Sequence, residues 1–217
     1  MPPVDPGELL MRRLTVDEYI ETVRATVGVD IERTAKERLP ADIRADGFTN
    51  TAYNLQAELS HVEAFASLAS EIAQDVDIDA FLTRHAPCKS LEESCLRTLI
   101  DQAGAWLMRG PLSPAEQDAL LKVPQAVQAE VADFEEAARF TLEAMLQSPR
   151  FLFRIERQRG DGAVQQVSQY ALAARLSYLI WGAPPDEALY EAAQNDQLSN
   201  PTAIEAQVER MLQDPRT

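Results

Sequence analysis

Four short phrases in this chain each place a helix-capping hydroxyl just ahead of a glutamate. Thr15-Val16-Asp17-Glu18, Ser60-His61-Val62-Glu63 and Ser90-Leu91-Glu92-Glu93 have the capping-box form, in which the hydroxyl accepts from a first-turn amide and the glutamate reaches back. Ser113-Pro114-Ala115-Glu116 adds proline at the first helical position, where its missing N–H is harmless. Apolar residues at helical spacing follow these starts: Tyr19, Val23 and Val27 up to a stop at Gly28, then Phe65, Leu68 and Ile72, then Leu96, Leu99, Ile100 and Leu107. Such spacing builds helices, and a chain punctuated this way has little room for a sheet.

The pattern continues to the last residues. A helix is expected over about 125–147, and Ser148-Pro149 restarts one that ends at Gly160-Asp161-Gly162. Ser168 precedes the series Leu172, Leu176, Leu179, which Gly182-Ala183-Pro184-Pro185 breaks. Short helices follow at 186–194 and 201–212, the latter capped by Asn200 with Pro201 in its first turn. Leu39 to Asn50 reads as a loop turning at Asp46-Gly47, and only Ala163–Val167 has the look of an extended segment. The expected fold is all-α: a compact assembly of about seven or eight helices with no significant sheet, in two parts joined near Lys122-Val123-Pro124.

The chain has 217 residues, enough for a substantial core, and a net charge of −15 divided evenly, −8 over residues 1–110 and −7 beyond. That balance argues against nucleic acid, whose phosphates require clustered cations. No apolar stretch approaches the roughly 18 residues of a membrane span. Met1-Pro2-Pro3-Val4-Asp5-Pro6-Gly7 lacks the form of a signal peptide, so the protein is cytoplasmic or its targeting segment is not in this numbering. The closing phrase Asp214-Pro215-Arg216-Thr217 follows a helix directly, and the expectation is a piece of a longer polypeptide.

Several phrases together resemble a known set of domains. Met145-Leu146-Gln147-Ser148-Pro149-Arg150-Phe151-Leu152-Phe153-Arg154-Ile155-Glu156, then Tyr170 to Trp181, Pro185 to Leu189 and Arg210 to Arg216, are similar to the domain of unknown function 1592. Arg12-Arg13-Leu14-Thr15, Glu18-Tyr19 and Gly47-Phe48-Thr49-Asn50 resemble domain 1587. Cys88, Cys95 and Arg109-Gly110-Pro111-Leu112-Ser113 with Glu116 resemble domain 1595. The division is 11–80, 81–124 and 125–217, with the 1592-like part incomplete. These domains occur in large exported multidomain proteins of planctomycetes and myxobacteria, often fused to c-type cytochrome or carbohydrate-binding modules. The resemblance therefore implies a periplasmic or extracellular location near electron transfer or polysaccharide processing. No Cys-x-x-Cys-His haem attachment exists here, so no cofactor is expected in this chain.

Cys88 and Cys95 are the only cysteines. In an exported chain they are expected to form a local disulfide worth roughly 2–3 kcal/mol. Free thiols are the second reading; a metal or redox site, for which His85 is the nearest further ligand, is the third. Asp75-Val76-Asp77-Ile78-Asp79 begins like a calcium loop, but Ala80 and Ala86 stand where glycine and glutamate are needed, so it reads as a helix end or solvated turn. His61 is expected at the surface, and no metal site is expected.

Arg150, Arg154 and Arg157 fall at i, i+4, i+7, a cationic stripe on one helical face. The simpler reading pairs them with acids such as Glu143 or Glu156; the functional one makes them a candidate site for an anion or acidic partner, since guanidinium forks grip carboxylates. Arg175 and Asp186 are expected to pair across the Pro184-Pro185 turn. Trp106 and Trp181 lie on apolar stripes and are expected in the core rather than as sugar platforms.

No nucleophile elbow, zinc motif or phosphate loop is present, and no catalytic residue is assigned. The function expected is a non-catalytic helical scaffold or interaction module. Its partners would be flanking domains or a basic protein such as a c-type cytochrome. The alternative is a polysaccharide-active enzyme using a carboxylate pair in an interhelical cleft.

Overall fold

A computed structural model describes residues 11–44, 47, 55–155 and 167–217. A two-residue strand β1 (Arg12–Arg13) leads into α1 (Val16–Val27), α2 (Glu32–Arg38), α3 (Leu59–Asp75), α4 (Ile78–His85), α5 (Glu93–Leu107), α6 (Pro114–Val127) and α7 (Phe134–Leu146). The short α8 (Pro149–Leu152) and strand β2 (Phe153–Arg154) follow, then α9 (Gln169–Ile180), α10 (Glu187–Gln194), a 3-10 turn (Gln197–Ser199) and α11 (Pro201–Leu212). The fold is mostly helical. Among the described residues there are eleven α-helices rather than seven or eight, and one two-stranded ribbon. The additional helices include α2 and α4, of seven and eight residues, too short to repeat an apolar period convincingly.

Local chemistry places most helix starts. Thr15 Oγ1 accepts from the Glu18 amide at 3.1 Å while Glu18 returns the bond to the Thr15 amide at 2.9 Å, and Gly28 stops α1 with φ 77°. Ser113 and Glu116 make the same reciprocal pair ahead of α6. Ser168, Asp186 and Asn200 each cap the helix that follows.

Three starts differ from expectation. Helix α3 begins at Leu59, with His61 Nδ1 accepting from the Glu58 amide at 3.3 Å. Ser90 Oγ accepts from the Glu92 amide, closing a turn, and α5 starts only at Glu93. The single helix expected over 125–147 is two, because Asp133 accepts from the Glu136 amide at 3.0 Å and opens α7 afresh. Lys122-Val123-Pro124 lies inside α6, with Pro124 buried. Asp75 ends α3 and Asp77 caps α4, so the acidic run marks a helix boundary.

Two hydrophobic cores result. The large one interleaves Leu14, Tyr19 and Val23 of the first elements with Phe65, Leu68 and Ile72 of α3, Leu99 and Ile100 of α5, Leu142 and Leu146 of α7, and Phe151. Helix α3 packs on α7, α7 on α6, and α6 on α5. The smaller core gathers Ala173 and Trp181 with Leu189, Ala192, Leu198 and Met211. Helix α9 serves both, for its Tyr178 belongs to the large core. The antiparallel ribbon sets Arg12 opposite Arg154 and Arg13 opposite Phe153, extended by Leu14 N to Leu152 O at 2.9 Å. It ties the entry of the chain to the end of α8.

Candidate functional site

At the end of α5 the backbone turns through two unusual residues. Arg109 has φ 57°, left-handed for a non-glycine residue, which costs about 1–2 kcal/mol. Gly110 follows at φ 152°; a Cβ there would stand 3.1 Å from Cβ of Tyr170. This corner turns the Arg109 side chain inward, where the residue is only 7% exposed.

Its guanidinium collects the chain on all sides. Nη1 donates to Phe151 O at 3.2 Å and to Tyr178 Oη at 3.3 Å. Nη2 donates to Phe153 O at 3.0 Å, to Phe151 O at 3.3 Å, and to Arg150 O. Tyr178 Oη lies 2.8 Å from Thr22 Oγ1, and the Thr22 hydroxyl donates to Glu18 O at 2.6 Å. The direction of the relay follows. With the threonine proton on Glu18 O, Tyr178 donates to Thr22 and accepts from Arg109. Thr22 and Tyr178 are both buried.

Arg109 and Arg154 also lie 5.7 and 5.2 Å from the Tyr178 ring centroid, within cation–π range. A buried cation is tolerable here because carbonyl dipoles and an aromatic face replace its water. Both hydroxyl protons of the relay are committed within it, that of Thr22 to Glu18 O and that of Tyr178 to Thr22.

Around it the C-terminal helices touch the end of α5 through tyrosines. Tyr170 sits against Gly110, and Tyr190 Oη donates to Ala105 O at 3.2 Å. Burial pushes the Tyr190 phenol up to about 12, which keeps it a donor. Tyr190 also meets Trp106 edge-on at 5.7 Å and Tyr170 at 5.3 Å, and Arg84 covers the Trp106 ring at 4.5 Å. Trp106 is half-buried rather than fully in the core, and donates to Thr26 O at 3.3 Å. Trp181 is buried in the small core and donates to Met211 O at 3.1 Å.

The residues singled out in the sequence scatter. Cys88 and Cys95 form the disulfide, with Cα atoms 5.9 Å apart, joining the loop after α4 to the first turn of α5. The arginine stripe is not a helical face. Helix α8 ends at Leu152 because Phe153 and Arg154 pair with β1, so Arg150 lies on a helix and Arg154 on a strand. Arg150 grips the corner after α5 through the carbonyls of Met108, Gly110 and Pro111 and through Glu116 at 3.2 Å. Arg157 lies outside the described residues.

Asp186 differs from its expected pairing. Arg210 grips both its oxygens, at 2.7 and 3.0 Å, and Arg216 approaches at 3.5 Å, while Arg175 is exposed on α9. Burial raises the Asp186 pKa, but these bonds outweigh it and hold the carboxyl below its ordinary value. Arg216 also lies 3.6 Å over the Trp181 ring. His61, expected at the surface, is buried, and burial first, then the Arg13 charge, lowers its pKa.

Thr22, Arg109 and Tyr178 were not singled out as a site. An Arg-Gly pair closing an apolar helix, and a hydroxyl-bearing ring set among the apolar residues of α9, are the signals that would have found two of them.

A cleft of about 240 Å³ opens between α6 and the end of α7, walled by Met108, Leu112 and Leu120. Its carboxylate, Glu116, is held by the Ser113 amide and hydroxyl at 2.7 and 2.6 Å and by Arg150. Among the described residues, no group of three or more histidines, cysteines or acids is placed to hold a metal ion. No described helix is long and apolar enough to cross a membrane.

Fold and site together define a mostly helical protein in which the Arg109 guanidinium bonds three backbone carbonyls and a tyrosine. Its sequence carries three family matches, each to a protein of unknown function: residues 12–78 to DUF1587, 95–156 to DUF1595 and 167–217 to DUF1592, the last a partial match. No curated protein and no solved structure matches the chain.

Proposed function

We propose that this chain is a non-catalytic helical scaffold or interaction module of an exported multidomain protein. The observation that carries the reading is the Arg109 relay, because its donors are committed to backbone carbonyls and a tyrosine that join distant parts of one chain. Two half-buried carboxylates are likewise occupied: Glu116 and Asp186 each pair with an arginine. The Cys88–Cys95 disulfide supports an oxidising compartment, periplasmic or extracellular.

Electron transfer or polysaccharide processing enters through the company that similar domains keep. In that setting any haem belongs to a flanking domain or partner. A surface of net charge −15 suits a basic partner such as a small c-type cytochrome. Titrating the chain with a basic c-type cytochrome at rising ionic strength tests the reading. Binding at low salt that weakens steadily between about 20 and 200 mM is expected. An absence of binding at low salt, together with release of reducing ends from a polysaccharide, would move the assignment to the enzyme reading.

A further inference from the structure

The contact between the C-terminal lobe and the rest of the chain enters the large core at Tyr178 and is otherwise made by polar-tipped rings. From α9 onward the lobe closes its own hydrophobic centre around Trp181, Leu189, Leu198 and Met211. What it turns toward α5 is chiefly polar-tipped aromatic: Tyr170 against Gly110, Tyr178 on Arg109 and Thr22, Tyr190 on Ala105 O. Three of the chain's five tyrosines make this footprint. At its edge Glu187 of α10 reaches Arg84 of α4 at 3.7 Å. Tyrosine and arginine anchors around a desolvated centre, with charge pairs at the rim, are the make-up of a protein–protein interface rather than of a domain interior.

We propose that the Arg109–Gly110 corner, with Thr22 beside it, is a recognition surface for a helical lobe of the 1592 type. It would hold such a lobe without a continuous connecting chain. The determinants are chemical. The lobe must offer a hydroxyl that accepts from a buried guanidinium and donates to a threonine, and a flat ring that fits over a residue without a side chain. A phenylalanine in place of Tyr178 leaves one Arg109 N–H without that acceptor; a side chain at Gly110 crowds Tyr170.

The test begins from the intact chain. A protease recognition sequence is inserted within residues 156–166, the purified protein is cut, and the two pieces are followed by size-exclusion chromatography and by surface-immobilised titration. The surface predicts that the pieces co-elute after cutting and rebind when mixed. Tyr178→Phe, which keeps the ring, should weaken rebinding about tenfold or more, since hydrogen bonds to charged groups are the strong ones. Tyr190→Phe should weaken it less, because its partner is a neutral carbonyl. Pieces that separate on cutting and do not rebind would overturn the proposal. So would rebinding that Tyr178→Phe leaves unchanged, since the relay would then not be the determinant.

Discussion

Between β1 and β2 the chain buries leucine, isoleucine and phenylalanine from helix after helix, whereas from α9 onward a smaller core is ringed by charge. In the first region α3, α5, α6 and α7 interlock through apolar side chains, and Arg13 is held beneath them by Asp42 at 2.8 Å. In the second, Met211 is the buried residue of α11, and the helix is fastened by Arg210 on Asp186 and by Arg216 over Trp181. The two regions are thus held by different chemistry, and Arg109 is the joint between them.

The largest effect is expected at that joint. Arg109→Ala leaves three backbone carbonyls and the Tyr178 hydroxyl without their donor. A loss of about 3–5 kcal/mol in urea unfolding is expected, the scale of breaking a buried charged network. A loss below 1 kcal/mol would mean that the relay holds little.

Acid should separate the two regions in another way. Both histidines lie in the large one, and His85 is buried against Phe81 at 4.8 Å with Nε2 unpartnered. Burial, then the Arg84 charge, pushes its pKa down to about 4. The sign is fixed: an unfolded histidine takes its proton near pH 6.5 and the folded one does not, so stability is complete above 6.5 and falls as pH drops toward 4. The fall amounts to at most about 3–4 kcal/mol, from 1.36 kcal/mol per unit. Urea titrations at pH 7.5, 5.5 and 4.5 check this, and His85→Leu should make the profile shallower, leaving the part due to buried His61. In the lobe, Asp186 has a lowered pKa, so its contribution is retained at these pH values and lost only below them.

Cutting the disulfide is the mildest of these perturbations. It closes a short loop within the large region, where Lys89 already bridges Asp79 of α4 and Glu135 of α7 at 2.8 and 3.2 Å. Reduction should cost roughly 2–3 kcal/mol and shift the whole transition rather than split it. A second, earlier transition confined to α4 and α5 would show that the loop is a separate unit.

How much of this was legible depended on distance along the chain. Where a helix start is decided within four residues, as at Thr15, Ser113, Ser168 and Asn200, the sequence and the structure agree. Where a distant partner decides, they part. Phe151-Leu152-Phe153-Arg154 continues a helical period, yet residues 153–154 join a ribbon with Arg12 and Arg13, and the expected stripe of arginines is lost. The disulfide was legible because its cysteines are close neighbours. The relay was not: Thr22, Arg109 and Tyr178 are separated by 69 residues or more, and each has an ordinary reading in its own helix. Asp186 went to Arg210 for the same reason, since α11 returns over the turn that Arg175 was expected to guard.

The most direct test of a lobe stabilised by its docking uses the tryptophan in its core. In a Trp106→Phe variant, Trp181 alone reports on the lobe, while circular dichroism at 222 nm reports chiefly on the helices of the large region. Urea titration followed by both signals should give one midpoint and one slope, because the Arg109 joint couples the lobe to the large region. A fluorescence transition completed at lower urea than the loss of helix would contradict the account, and would make residues 167–217 a domain that comes and goes on its own.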